Sequence, residues 1–173
     1  MASILGVETL QHTNGTDALT IDSTGRVLMP VVPAWRTGKI ASQAVTADTS
    51  EIAVPFDKGS GASSNCFLNG GVTISSGKIV VPIAGIYQVN LNMRIDNITS
   101  GYIVSRILKN LEQSNQEESY HIVSVGGGAY NTVTITDVYE AEAGDEFSVS
   151  NLSSADGTYT ISSTSTFSGH LVG

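Results

Sequence analysis

Apolar and polar side chains alternate strictly from Tyr87 to Ile95, within a strand read as 86–95. Tyr87, Val89, Leu91 and Met93 fall on one side, and Gln88, Asn90 and Asn92 on the other. A period of two is the mark of a β-strand with one buried face. The polar side carries no charge before Arg94, which is unusual for a strand face that meets only water and points to a face covered by a neighbouring subunit. Residues 131–139 repeat this alternation, with Val133 and Ile135 reading as core and Thr132, Thr134 and Thr136 as outward.

The same pattern predicts further strands at 34–40, 50–56, 77–82, 102–110, 120–125, 146–152, 158–164 and 166–172. With 86–95 and 131–141 they make ten. The separators are rich in Gly, Asn, Asp and Ser, the residues that supply turn conformations. No segment longer than about two turns keeps a helical apolar stripe. Dense strands without helices imply a sandwich or barrel. GSGASSN (59–65) and KNLEQSNQEES (109–119) read as surface loops.

Residues 1–33 differ. Three short extended pieces, VETLQ (7–11), ALTID (18–22) and RVLMP (26–30), are separated by HTNGTD and STG turns. Such pieces are too short to bury a core and need a scaffold or symmetry mates. Pro30 and Pro33 bracket a stiff extended linker. The expected division is an anchoring arm, 1–33, and a β domain, 34–173, with Val7, Leu10, Leu19, Ile21 and Val27 as the arm's apolar anchor.

Composition narrows the function. The formal net charge is −8, and the eight basic residues are scattered singly, so no basic groove for nucleic acid forms. Cys66 is the one cysteine, which leaves no intrachain disulfide and argues against a disulfide-stapled secreted module. No apolar run approaches the roughly 20 residues of a membrane span. MASILGVETLQ lacks the basic and apolar regions of a signal peptide, so the expectation is synthesis in a cytoplasm.

Several pieces in order resemble the complement-C1q-like domain, a relative of the tumour-necrosis-factor jelly roll: Pro33-Ala34-Trp35, VPFDK (54–58), SGKIVVPIAGIYQVNL (76–91), YEAEAGDEFSV (139–149) and FSGHLV (167–172). His170 departs from the family, which has an apolar residue there. The resemblance implies an all-β, ten-stranded jelly-roll sandwich that forms a homotrimer, with its inner sheet facing the threefold axis. The expected trimer interface is Gln88, Asn90, Asn92, Thr132 and Thr134, joined by Phe167 and Leu171, whose strand face meets the axis by the same analogy. The run D-S-T-G-R-V-x-M-P-x-x-P-A (22–34) resembles segments that precede knob domains in bacteriophage fibre and virion surface proteins.

No constellation supports an enzyme. His12, His121 and His170 share no metal spacing, and GGG (126–128) and GSG (59–61) open no phosphate-binding helix. No G-x-S-x-G elbow occurs. Glu117-Glu118 and Asp145-Glu146 are adjacent pairs that point opposite ways on a strand. No cofactor is expected; calcium, which some family members bind, is a minor alternative resting on Asp96, Asp137 or Asp156. The resulting expectation is a non-enzymatic homotrimer on the surface of a bacteriophage virion, a capsid decoration or head-fibre protein held by its N-terminal arm to other virion proteins. The alternative is a tail-fibre tip or adhesin that binds a host glycan or protein through loops 59–71 and 109–119.

Overall fold

The computed structural model describes residues 9–11, 17–21, 23–28, 32–46, 50–61, 65–98, 100–110, 119–124, 130–154 and 157–173. The chain divides into two compact units, Met1–Val32 and Pro33–Gly173. In the first, β1 (Thr9–Gln11), β2 (Asp17–Ile21) and β3 (Val27–Leu28) form a small antiparallel meander. Leu10 lies opposite Leu19, and Ile21 opposite Val27. Gly25, at φ +81°, turns the chain between β2 and β3.

The second unit is a sandwich of two antiparallel sheets. Its strands are β4 (Ala34–Gly38), β5 (Gln43–Thr46), β6 (Ile52–Ala53), β7 (Phe67–Asn69), β8 (Thr73–Ser75), β9 (Lys78–Val80), β10 (Gly85–Asp96), β11 (Tyr102–Lys109), β12 (Ser119–Ser124), β13 (Tyr130–Ala141), β14 (Glu146–Ser153), β15 (Thr158–Ile161) and β16 (Thr166–Leu171). The seven-stranded sheet runs β5-β15-β10-β16-β4-β7, with β13 on the other side of β10. The six-stranded sheet runs β12-β11-β14-β9-β8, with β6 also paired to β14. This is an all-β jelly-roll sandwich. Strands β5, β7 and β8 add to the ten expected, and only Ile52–Ala53 of the expected strand at 50–56 joins a ladder.

Each long strand sends its apolar parity into the space between the sheets. Tyr87, Val89, Leu91 and Met93 of β10 are buried, as are Val133 and Ile135 of β13. From the other sheet, Ile103, Ile107, Phe147 and Val149 meet them. An aromatic group fills the centre. Trp35 stacks on Phe147 with ring centroids 6.0 Å apart, and Phe167 meets Trp35 edge-on at 6.2 Å. Gly169 lies opposite Trp35 in the β16–β4 register. A Cβ at position 169 would stand 2.4 Å from Trp35 Cζ2, so only a glycine admits the ring here.

This arrangement corrects the expectation for the last strand. Phe167 is 1% exposed and sits in the aromatic core, touching Trp35 and Phe56. Leu171, on the same face, packs at the rim of that core. Neither side chain forms an outward apolar face. Burial between the sheets takes the apolar parity of β16, as it does for β10 and β13.

One buried polar group crosses the core. Tyr159 Oη donates to Asn151 Oδ1, whose amide nitrogen donates to Ser105 Oγ at 3.0 Å and to the Val104 carbonyl at 3.3 Å. Loss of water around the Tyr159 phenol, partly offset by its hydrogen bond with Ser153, pushes its pKa up to about 12.

Candidate functional site: the uncovered face of the seven-stranded sheet

The strands that bury one parity in the core present the other parity outward. Register sets these outward side chains in rows across the sheet. One row reads Val138, Gln88, His170, Ala34 and Asn69. The next reads Thr136, Asn90, Ser168, Arg36 and Phe67, and the third Thr134, Asn92, Thr166 and Gly38. Thr132 lies opposite Arg94 beyond them. The structure thus brings Gln88, Asn90, Asn92, Thr132 and Thr134 together on one surface, which Phe167 and Leu171 do not join.

The surface is polar but nearly uncharged. In the three rows Arg36 is the one fixed charge. Thr136 Oγ1 donates to Asn90 Oδ1 at 2.9 Å, a cross-strand bond that orders the middle row. At one end Arg94 Nε holds Asp96 Oδ1 at 2.7 Å while its guanidinium lies 4.1 Å from the Tyr130 ring centroid. The bond to Asp96 holds the Arg94 pKa above its ordinary value.

The opposite end carries three exposed apolar side chains beside one charge, Glu140, which lies across from Ile86 in the β10–β13 ladder. Ile86 is 44% exposed, Val138 55% and Val172 51%. Val138 is diagonal to Ile86 across the β10–β13 ladder, and the Val172 N–H donates to the Ile86 carbonyl at 2.8 Å. All three are large apolar side chains left exposed on the outward side of this sheet. The alternation rule carried the signal: Ile86 and Val138 occupy the outward parity of strands whose inward parity is already apolar. They were absent from the interface expected from sequence.

Of the arm residues, Val27 is exposed and Ile21 half-buried. Leu10 and Leu19 have their backbones in β1 and β2, but their side chains, and all of Val7, lie outside the described residues. Residues 62–64 and 111–118 of the two candidate binding loops also lie outside them, as do His12, Asp156 and Glu117-Glu118. The backbone of His121 is in β12, and its side chain lies outside the described set.

Several of the remaining chemical candidates are held in contacts within the chain. Asp145 Oδ1 accepts from Asn110 Nδ2 and its Oδ2 from the Glu142 N–H, both at 2.9 Å, in the turn between β13 and β14. Burial pushes the Asp145 pKa up, but these two bonds and the Lys109 charge outweigh it and leave it lowered. Glu146 pairs with Lys78 at 2.6 Å. Asp96 is held by Arg94, and Asp137 Oδ1 accepts from the Val138 N–H. Among the described residues no three His, Cys, Asp or Glu side chains converge as a metal site. Cys66 is half-buried beside β7. No helix of the described residues is long and apolar enough to cross a membrane.

No protein-family model matches the sequence. No curated protein matches it. Solved structures do match in shape. Murine APRIL at pH 5.0 superposes with a TM-score of 0.57 at 12% identity, over 82% of this chain and 99% of that one. Murine APRIL at pH 8.5 gives 0.57 at 16% identity, over 81% and 98%. Eiger TNF from S. frugiperda gives 0.56 at 14% identity, over 83% and 94%. The chain therefore has the jelly-roll fold of TNF-like proteins.

Proposed function

We propose that three copies of this chain associate through the uncovered face of the seven-stranded sheet, and that the trimer is a structural, non-enzymatic component of a bacteriophage virion surface. The observation that carries the assembly is the face itself: aligned amide and hydroxyl rows flanked by exposed Ile86, Val138 and Val172. Covering such a face removes apolar surface from water and desolvates few charges. A neighbour can meet Gln88, Asn90 and Asn92 with hydrogen bonds. The TNF-like fold supports a trimer, and the likeness of residues 22–34 to segments before phage knob domains supports the virion.

The arm would anchor the trimer to other virion proteins. Thirty-three fully extended residues reach at most about 110 Å, and the hairpins of β1 to β3 shorten that reach. A short tether suits a capsid decoration or head fibre better than a long shaft. Three arms on one trimer would bind by avidity, so each contact needs little strength of its own.

Mass by light scattering tests the trimer, and a monomer at micromolar concentration would end the proposal. Deletion of residues 1–33 tests the anchor: the remaining trimer should stay folded and no longer join particles. Imaging of labelled particles decides the location, since label at the tail tip would favour the adhesin reading over decoration.

A further inference from the structure

The outward side of the six-stranded sheet holds a cleft of about 150 Å³. Residues 51–55 form one wall, the β8–β9 turn at Ser76 and Gly77 closes another, and Leu108, Ser148 and Ser150 lie at the base. Gly77 abuts Pro55 so tightly that a Cβ there would stand 2.5 Å from Pro55 Cβ, and the Gly77 carbonyl accepts from the Phe56 N–H at 3.2 Å. That wall is fixed by backbone.

Two features define what the cleft would take. Its charged rim is already neutralised: Glu51 accepts from Arg106 at 3.0 Å and from Ser150 Oγ, and Lys78 pairs with Glu146 at 2.6 Å. A charged ligand would gain nothing from it. At the base, Ser148 is 7% exposed and its Oγ has no hydrogen-bond partner. Phe147 and Val149 point into the core, so alternation turns Ser148 toward the cleft. Buried hydroxyls are rarely left unpaired. The lining is otherwise mostly apolar, from Leu108, Val54, Pro55 and Ala53. A cavity of this size holds one six-membered ring. A sugar is disfavoured, because most of its hydroxyls would be desolvated without partners.

We infer that this cleft binds a neutral six-membered ring carrying one hydroxyl, as in phenol or a tyrosine side chain, with the hydroxyl meeting Ser148. The site is on the other sheet from the assembly face and does not depend on the trimer. Ligand-observed fluorine NMR with 4-fluorophenol and fluorobenzene tests it on the full-length protein. Both should bind, with the phenol roughly three- to tenfold tighter. Ser148→Ala should erase that preference and leave fluorobenzene unchanged. Ala53→Trp, which fills the mouth from an exposed position, should abolish both. Displacement by N-acetyl-tyrosinamide supports a tyrosine of a bound chain as the source, and failure to displace supports a free small molecule. No binding by either probe at about 10 mM, or a preference that survives Ser148→Ala, overturns the inference.

Discussion

The two outward faces of the sandwich solve the same problem differently. On the six-stranded sheet, the chain covers its own polar groups. Residues 51–56 lie beside β14, Glu51 takes up Arg106 and Ser150, and Leu108 and Val104 end up almost buried. On the seven-stranded sheet no described residue of the Pro33–Gly173 unit is laid over Gln88, Asn90 and the Thr132–Thr136 row, and Ile86 and Val138 are left in water. Around Glu51 the first face is closed by intrachain ion pairs, while Tyr102, Tyr120 and Ile122 stay exposed toward its β11–β12 edge; the second face carries few charges and leaves Ile86 and Val138 exposed at one end. A surface with few charges, over which no described residue of its own unit is laid, is the one we propose a second copy meets.

The sharpest way to break this contrast is to charge the open face. Asn90→Lys with Val138→Lys would place cations on the proposed contact, beside Arg36. The proposed trimer should weaken at least about a hundredfold, since juxtaposed like charges cost several kcal/mol. Sedimentation should show monomers with unchanged circular dichroism. Thr73→Lys, on exposed β8 of the other sheet, should leave the assembly intact. If both variants dissociate equally, the distinction between the faces fails.

Next in size is the core between them. Phe167→Ala should cost about 3–5 kcal/mol in denaturant unfolding, because it empties a space against Trp35 and Phe56. A loss of association with full stability would instead return Phe167 to the interface. Gly169→Ala should cost about 1–3 kcal/mol by forcing Trp35 to move, read as a lower thermal midpoint.

Two smaller effects follow from pH. The folded pKa of Tyr159 is raised, to about 12, so its stabilising contribution is whole below the ordinary phenol value of 10.0 and is lost as pH climbs from there through 12. Absorbance at 295 nm should show one late-titrating tyrosine, absent in Tyr159→Phe. Asp145 has a lowered pKa, so its contribution is whole above the ordinary value of 3.8 and is lost as pH falls through the folded value. The stability gap between the natural protein and Asp145→Asn should be a fraction of a kcal/mol near neutrality and shrink on acidification.

How much of this was legible depends on whether the information is local. The alternation over 87–95 and 131–136 picks out core side chains from sequence alone, whereas Ile86, Asp137 and Val138 break the parity and are exposed. Strands β5, β7 and β8 escaped because QAVT, FLN and TIS are too short to show a period; their partners make them strands, not their pattern. Phe167 was misplaced because analogy was set above alternation. Thr166, Ser168 and His170 were the polar parity, and they are the outward one. The cleft was invisible for a different reason. It gathers Glu51, Gly77 and Ser148 from distant stretches, and no spacing along the chain announces that meeting.

Strand β4 opens the sandwich and pairs with β16, which closes it, so Trp35 finds its glycine seat only when both are present. During synthesis the tryptophan can meet Tyr87 and Phe147 earlier, but it lacks its glycine seat until β16 clears the ribosome. Contacts between such remote segments form slowly and leave aggregation-prone surface uncovered in the meantime. A nascent chain stalled before Thr166 would be a client for chaperones, however complete its other strands.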